Sequence, residues 1–362
     1  MSPRAGSGFL LALLAAGCGA ENDEASAPAG CDLSLTPYAG DCLRLEAPDP
    51  ALGFQLHYGP RTYDDPAEVE RYVLLPGEEQ TDCLYSTTPN SEDFYYEEYH
   101  ATMRPGTHHM IVYGGASAAP DGTLDACDLG DLAYLLGAQG GVGPGGARVD
   151  VPDATQAPEN VGLAVMLAPA TRIAYQVHYV NAGSEPILRE SWTNFFLEPK
   201  SEVTGITAPI TFIGGVLMKV EPHTTLQIRG ACSVPSEAPD ALRILSLNGH
   251  MHAHGTRFSV WKVDAAEHER LVYETYDWSH PDNLLFDSTH VNPAPDAAAQ
   301  TGGGASGALW LDKAERIEWE CNVENDSSKP LVWANAAYTA EMCNLFGTYT
   351  PSLGGAWKCL QP

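Results

Sequence analysis

Histidines are the residues of this sequence whose type and spacing could do chemistry. They recur in three short motifs, which are His108-His109-Met110, Gln176-Val177-His178-Tyr179 and His250-Met251-His252-Ala253-His254. A lone histidine is usually a packing or surface residue, but a neutral imidazole is also the commonest metal-ligand side chain. Three such motifs in one chain therefore predict metal binding.

The spacing within two of the motifs indicates how the imidazoles would be oriented. Side chains alternate between the two faces of a strand, so His250, His252 and His254 would point the same way on a strand. His108 and His109 would diverge on a regular strand. They could share one ion only at a strand end or at a bulge.

A methionine narrows the choice of metal. Imidazole suits zinc, copper, iron and nickel alike, whereas a thioether ligand selects copper, above all Cu(I). Met342 directly precedes Cys343, and a disulfide at that cysteine would hold the backbone of Met342 rigid. Spacing alone gives this methionine little weight, because methionine usually fills a hydrophobic core.

The elements that would position these residues are short strands. The chain contains 35 Gly and 27 Pro, which makes turns frequent and long helices unfavourable. Between the turns lie short runs rich in β-branched and aromatic residues, which are typical of strands. The clearest runs are Met110–Tyr113, Ile173–Val180, Phe258–Val263 and Leu331–Ala334. The pattern predicts an all-β protein of antiparallel sandwiches or barrels, with one short helix at Leu129–Leu136.

Length and charge limit the class of protein. With 362 residues the chain is expected to form two domains, because single cores stop growing at about 250–300 residues. The net charge of −28 excludes nucleic acid as a partner, since phosphates would repel the protein. The hydrophobic content of 44% is sufficient for packed cores and argues against intrinsic disorder.

The N-terminus resembles the export signal of a bacterial lipoprotein. The apolar run Phe9–Ala16 is too short to span a bilayer. The segment Ala15-Ala16-Gly17-Cys18 resembles a lipobox, which predicts a signal peptide at 1–17 and a lipidated Cys18. Gly19 after that cysteine favours the outer membrane, with the protein facing the periplasm or the cell surface. An ordinary secretory signal is the alternative.

Two cross-linked domains are expected after this signal. Residues 18–30 indicate a flexible polar tether, and a turn at Asn181–Pro186 divides the rest into domains at 31–183 and 184–362. Besides the lipidated cysteine, four cysteines precede residue 130 and four follow residue 230. An even number of cysteines in an exported chain predicts disulfides within each domain.

The four motifs together resemble a known family. His108-His109-Met110, Gln176-Val177-His178-Tyr179, His250-Met251-His252 and Glu341-Met342-Cys343-Asn344-Leu345 are similar, in this order, to motifs of the copper type II, ascorbate-dependent monooxygenases. Dopamine β-monooxygenase and peptidylglycine α-hydroxylating monooxygenase belong to this family. The similarity extends from about Cys31 to Cys359 and covers both predicted domains.

The resemblance implies two β-sandwich (jelly-roll) domains and two coppers per chain. The implied ligands of an electron-donating copper are His108, His109 and His178. Those of an O2-activating copper are His250, His252 and Met342. Gln176 and Asn344 are the candidate catalytic residues beside the two sites, and His254 is expected next to the second site and not among its ligands.

The resemblance also implies the reaction. It is hydroxylation of a C–H bond in a small organic substrate by O2, with ascorbate or another one-electron reductant as co-substrate. An amine or an aromatic compound is the expected substrate. The membrane would be contacted through the lipid anchor alone.

The cysteines fit the same family pattern. The disulfides that the resemblance implies are Cys83–Cys127, Cys232–Cys359 and Cys321–Cys343. These pairs leave Cys31 to pair with Cys42.

The chain departs from the peptide-amidating members of the family at two positions. Those members carry an arginine two residues before the first histidine of the His-x-His pair, where this chain has Asn248. They carry a tyrosine four residues after the methionine, where this chain has Phe346. Without the arginine a bidentate clamp for a carboxylate is missing, so peptide amidation is not expected.

Two other functions stay open on the sequence. A non-catalytic exported lipoprotein that binds or sequesters copper would keep every ligand on the same scaffold. A zinc hydrolase built on His250, His252 and His254 would need a general base nearby. It would also leave Met342 and the adjacent pair His108-His109 without a role.

Overall fold

The structure is a computed structural model that describes most of the chain after the N-terminal segment. The described residues are 45–115, 119–127, 134–140, 147–150, 157–279, 281–334 and 336–362. Side chains are described within these ranges, except those of His108, 134–140 and 147–150. The predicted signal peptide 1–17, the lipidated Cys18, the tether 18–30 and the pair Cys31–Cys42 lie outside the described residues.

Strands make up nearly all of the regular structure. Those of the first half are β1 (Gly53–Tyr58), β2 (Val73–Leu74), β3 (Glu79–Thr87), β4 (Phe94–Tyr96), β5 (Glu98–Met103), β6 (Thr107–Gly114), β7 (Leu124–Asp125), β8 (Tyr134–Gly140), β9 (Ala147–Asp150), β10 (Leu163–Leu167), β11 (Arg172–Val180), β12 (Ile187–Leu188) and β13 (Ser191–Phe196). Helical structure in the same half is limited to the short helix α1 (Pro66–Glu70) and a 3₁₀ turn (Pro158–Asn160) within the described residues.

The second half continues the same pattern. Its strands are β14 (Gly205–Gly214), β15 (Lys219–Val220), β16 (Thr224–Ser233), β17 (Ala241–His250), β18 (Gly255–Val263), β19 (Glu269–Thr275), β20 (Asn283–Leu285), β21 (Gly303–Gly304), β22 (Leu309–Asp312), β23 (Arg316–Asn325), β24 (Leu331–Val332), β25 (Cys343–Thr350) and β26 (Trp357–Leu360). The all-β prediction is confirmed, and the four clearest sequence runs fall at β6, β11, β18 and β24.

The helix predicted at Leu129–Leu136 is wrong where the structure describes it. Tyr134 begins β8, which forms an antiparallel ladder with β6. The ladder satisfies the backbone hydrogen bonds of β8 from Tyr134 onwards, so this part of the chain is extended and not helical.

Two sheets position the candidate site. The first is five-stranded, in the order β7-β3-β11-β6-β8, and its pairings are antiparallel. The second contains the order β20-β17-β25-β14-β10-β4, in which β10 and β14 pair in parallel and the remaining pairs are antiparallel. The parallel pair joins a strand of the first half to a strand of the second.

Two large hydrophobic cores lie on the inner faces of these sheets. The first core draws on residues between Phe54 and Phe195, and the second on residues between Ala208 and Trp357. Strands β12 and β13, which follow the turn at Asn181–Pro186, pack with the first core through Leu188 and Phe195.

Alternation along the strands leaves a second set of side chains on the opposite faces. In β6, Met110 and Val112 belong to the first core, so His109 and its alternate neighbours face away from it. In β14, Phe212 belongs to the second core, so Thr211 faces away from that core. The outer faces of the two sheets meet, and the candidate site lies between them.

Disulfides cross-link both halves. The predicted pairs Cys83–Cys127, Cys232–Cys359 and Cys321–Cys343 are confirmed. Three disulfides indicate folding in an oxidising compartment, as expected of an exported protein. Helices long and apolar enough to cross a membrane do not occur among the described residues.

Candidate metal centre

A small cavity separates the outer faces of the two sheets. Its volume is about 40 Å³, which is room for about three water-sized molecules. The first sheet contributes His109, Ile111, Tyr113 and Gln176. The second sheet contributes Thr211, Ile213, His250, Asn344 and Phe346. Turns and strand ends add His252, Trp333 and Met342.

The wall from the second sheet is built in two rows across three strands. Asn344 of β25 pairs with His250 of β17 on one side and with Ile213 of β14 on the other. The next row pairs Phe346 with Asn248 and with Thr211 in the same way. Residues two apart on a strand share a face. The register of β25 therefore places side chains from β14, β17 and β25, which are distant in sequence, on one surface.

His109 and His178 form the first histidine group. They are directly paired across β6 and β11, and their ring centroids are 5.0 Å apart. The next pair in the ladder joins Tyr179 to Thr107, so the register shifts at His108. A bulge of this kind inserts one extra residue into a strand, and a bulge was one of the two settings in which adjacent histidines could share an ion.

Hydrogen bonds fix which nitrogen of each ring would face a metal. His178 Nε2 donates to Glu79 Oε1 at 2.8 Å, and His109 Nε2 donates to Gln176 Oε1 at 3.2 Å. A metal would therefore be bound through Nδ1 of both rings. Carboxylate and amide partners of this type orient ligating histidines and raise their basicity. Gln176 thus contacts the first histidine group, where the resemblance implied it would lie.

His250 and His252 form the second histidine group. Their ring centroids are 5.2 Å apart, and both residues line the cavity with Met342. The expectation that the segment to His254 is one strand is wrong. β17 ends at His250, the chain turns with Gly255 N donating to His252 O at 2.9 Å, and β18 begins at Gly255.

A buried carboxylate holds this turn in place. Glu341 is fully buried and accepts backbone N–H bonds from His252 at 2.5 Å, from Met342 at 2.8 Å and from His254 at 3.1 Å. One side chain therefore connects the turn that follows His250 with the methionine. Burial raises the pKa of Glu341 to about 7, although the three N–H donors favour the ionised form.

Met342 is held on both sides. Its Sδ accepts a hydrogen bond from Asn344 Nδ2 at 3.4 Å. The next residue, Cys343, is bonded to Cys321 of β23. The disulfide next to Met342 therefore restrains its backbone, as expected. Asn344 contacts the second histidine group directly through Met342.

The two histidine groups face each other across the cavity. The ring centroids of His109 and His250 are 5.7 Å apart. Burial, with smaller contributions from the neighbouring His252 and His178, lowers the pKa of His250 to about 3. His250 is therefore a neutral imidazole at pH 7, which is the form that binds metals.

His254 lies beside the second group without lining the cavity. Its Nε2 donates to the carbonyl oxygen of Tyr338 at 3.1 Å, and its Nδ1 lies 3.5 Å from Asp326. The three histidines that a zinc hydrolase would use are therefore not brought together. Asn248 is engaged elsewhere too, since its amide donates to the carbonyl of Asp282 at 3.0 Å.

Glu341, Glu79, Thr211 and Trp333 are among the residues of the site that the sequence analysis missed. Glu341 stands inside a quoted motif, and a glutamate between Ala340 and Met342 in an apolar run was an available signal of a buried carboxylate. Glu79, Thr211 and Trp333 carried no signal, because nothing local shows which strand face they occupy.

The donor sets of both groups fit copper. The first offers imidazoles alone, and the second offers two imidazoles and a thioether, which is the softer set. Among the described side chains no three His, Cys, Asp or Glu groups converge on one point. Each group contributes only two side chains of these four types, because His108 lies outside the described side chains and Met342 is a thioether.

Comparison with known proteins gives no further assignment. No protein-family model and no curated protein matches this chain.

Proposed function

We propose that the protein is an exported dicopper monooxygenase that hydroxylates a C–H bond of a small organic substrate with O2 and an ascorbate-like reductant. One observation carries this proposal. Two groups of side chains with different metal-donor atoms face each other across one cavity. His109 and His250, one from each group, are 5.7 Å apart between ring centroids. A structural metal site would need neither the second group nor the cavity.

The ligands would divide between two coppers. His109 and His178, together with His108, would hold the electron-donating copper. His250, His252 and Met342 would hold the other copper, since a thioether in the set favours Cu(I). Copper at these positions would supply one-electron redox chemistry and binding of O2.

The chain's own residues would hold and orient these ligands. Glu79 and Gln176 keep the rings of His178 and His109 turned through their Nε2 hydrogen bonds. Glu341 keeps His252 and Met342 at a fixed separation by accepting both of their backbone N–H groups. Preorganisation of this kind is what a metal site requires of its surroundings.

The walls would limit access of water. Ile111, Tyr113, Ile213 and Phe346 supply apolar surface around the ligands. A dry cavity suppresses side reactions of reactive species and strengthens the electrostatic influence of the few polar groups that remain.

The proposal includes the cellular setting. Export as an outer-membrane lipoprotein, anchored through Cys18, would place the copper groups in the periplasm or at the cell surface. The two cores would correspond to the two jelly-roll domains of the family, with ascorbate or another one-electron reductant supplying electrons.

A non-catalytic copper-binding protein is the second candidate. The small cavity favours it, because about 40 Å³ is far below the roughly 300–1,000 Å³ of a typical ligand pocket. Catalysis on an organic substrate would require the two sheet faces to move apart.

Met342→Ala tests the proposal. In the copper-loaded protein, hydroxylation should fall below detection while the first group keeps its copper, measured as product formation and as copper content. Met218→Ala, at a buried methionine of the second core that does not line the cavity, is the matched control. Full activity in Met342→Ala would contradict the assignment, and O2 and ascorbate consumption without any product in the unaltered protein would favour copper binding alone.

A further inference from the structure

The cavity between the copper groups carries no formal charge apart from that of the metals it would hold. No Asp, Glu, Lys or Arg occurs among the described residues that line it. This contrasts with the chain as a whole, whose net charge is −28. The acidic character of the protein therefore gives no attraction for a cation at this position.

Two carboxylates contact the histidine groups, and both are occupied by other hydrogen bonds. Glu79 accepts hydrogen bonds from His178 and from the backbone N–H of Ala337. Glu341 accepts three backbone N–H bonds. Neither lines the cavity, so neither is placed to pair with a charged substrate.

Three polar side chains of the wall have atoms without partners. These buried atoms are Thr211 Oγ1, Trp333 Nε1 and Asn344 Oδ1, for which the described residues supply no hydrogen-bond partner. An unpaired buried polar group costs about 1–3 kcal/mol, so each such atom calls for an explanation. A bound ligand that forms hydrogen bonds with these atoms would explain all three.

The three atoms define what that ligand must offer. Trp333 Nε1 is a donor only, Asn344 Oδ1 is an acceptor only, and the Thr211 hydroxyl is both. A neutral hydroxyl group can accept from the first and donate to the second. An ammonium group has no acceptor for Trp333, and a carboxylate has no donor for Asn344.

We propose that the substrate is a small neutral hydroxyl compound with an apolar or aromatic body, recognised by Thr211, Trp333 and Asn344, in place of an amine or an acid. This inference rests on the proposed function, because it takes the cavity beside the copper groups as the substrate site. The two sheet faces would have to move apart to admit such a compound, since the cavity of about 40 Å³ is smaller than an aromatic ring. The aromatic and aliphatic walls would then contact the body, and the three polar atoms would pair with the hydroxyl group.

Desolvation sets the expected selectivity. A charged group moved from water into a cavity whose walls carry no charged side chain costs far more than a neutral group that keeps its hydrogen bonds. A site built to bind a hydroxyl group also rejects an analogue that lacks it, since its own polar atoms are then left unpaired.

The test uses three probes of similar size with different charge. 2-Phenylethanol, 2-phenylethylamine and phenylacetate are titrated into the metal-free full-length protein, in which no copper can coordinate the amine or the carboxylate, and dissociation constants are measured by calorimetry. The alcohol should bind at least about tenfold more tightly than either ion, which corresponds to about 1.4 kcal/mol. Tighter or equal binding of the amine or the acid, or no binding of the alcohol, would overturn the inference.

An isosteric variant separates recognition from general packing. Thr211→Val should weaken binding of the alcohol about fivefold to tenfold, the usual worth of one hydrogen bond. Thr207→Val is the matched control, because Thr207 lies on the same strand and also has a buried hydroxyl without a described partner, but does not line the cavity. An equal effect of Thr207→Val would mean that the loss is one of packing.

Binding and turnover test different claims. If the alcohol binds selectively and is never hydroxylated in the presence of O2 and ascorbate, the substrate class is supported and the monooxygenase proposal fails. If hydroxylation occurs with the amine as the preferred substrate, the monooxygenase proposal is supported and the neutral-substrate inference fails.

Discussion

The two histidine groups face one cavity but are held in place by different means. His109 and His178 lie within paired strands, and side chains from neighbouring strands orient their rings. His250 lies at a strand end and His252 in a turn, and Glu341 organises the backbone of that turn. The first group is positioned by sheet register, the second by one buried carboxylate and a disulfide.

This difference predicts how each group responds to change. A histidine group positioned by strand register should keep its folding stability when a single supporting side chain is changed, because the strands keep their pairing. A group set by a buried carboxylate depends on that residue, since three backbone N–H groups lose their acceptor together.

The largest expected effect comes from removing a ligand of either group. His178→Ala and His252→Ala should each lower turnover at least about a hundredfold, equivalent to about 2.7 kcal/mol of barrier. Each should also lower the copper content from two to one, measured by elemental analysis. Loss of both coppers from either variant would show that the groups are not separable.

The next effect concerns the carboxylate behind His178. Glu79→Gln should weaken copper at the first group about tenfold to a hundredfold, the usual cost of mutating the partner of a ligating histidine, because a neutral amide oxygen replaces the carboxylate that accepts from His178 Nε2. The amide still accepts from Ala337 N, so the second group should keep its copper. Competition with a copper chelator measures the affinity. Glu78→Gln, at the adjacent residue whose carboxylate accepts from Leu75 N, is the control and should change nothing.

The corresponding change in the second group should affect folding. Glu341→Gln replaces one carboxylate oxygen by an amide N–H donor, which leaves the N–H of His254 unpaired. We expect a loss of about 1–3 kcal/mol in the free energy of unfolding of the metal-free protein, measured with urea. Glu79→Gln should lose less than this. Equal losses would remove the distinction between the two groups.

The smallest effect is a pH dependence of the metal-free protein. The folded state lowers the pKa of His250 from 6.5 to about 3, so the unfolded state binds more protons between these values. The stabilisation from neutral His250 is present above pH 6.5 and is lost as the pH falls towards 3. The loss in the free energy of unfolding by pH 5 is at most about 2 kcal/mol.

A variant isolates this contribution. Urea unfolding at pH 7.5 and pH 5 should show a smaller loss of stability in His250→Gln than in the unaltered protein. His268→Gln, at an exposed histidine, should behave as the unaltered protein does. An identical pH response of His250→Gln would contradict the proposed desolvation of His250.

The sequence predicted the strands because their signals are local. Alternation in β6 and β11 sets the faces of His109 and His178, and their setting at a bulge was one of the stated alternatives. Three disulfides followed from the family resemblance. Each of these features depends on short motifs that can be read without knowing the partner strand.

The remaining features depend on contacts between distant segments. The spacing of His250, His252 and His254 is the same in a strand and in the observed turn, and the choice is made by Glu341, which lies far along the chain. Thr211 and Trp333 reach the cavity only because the outer faces of two sheets meet. Local patterning carries no information on that packing.

Copper content with X-ray absorption on the ascorbate-reduced protein tests the central claim most directly. We expect two coppers per chain, one with nitrogen ligands alone and one with a sulfur neighbour, and loss of the sulfur signal in Met342→Ala. One copper per chain, two coppers without sulfur, or bound zinc in place of copper would contradict it.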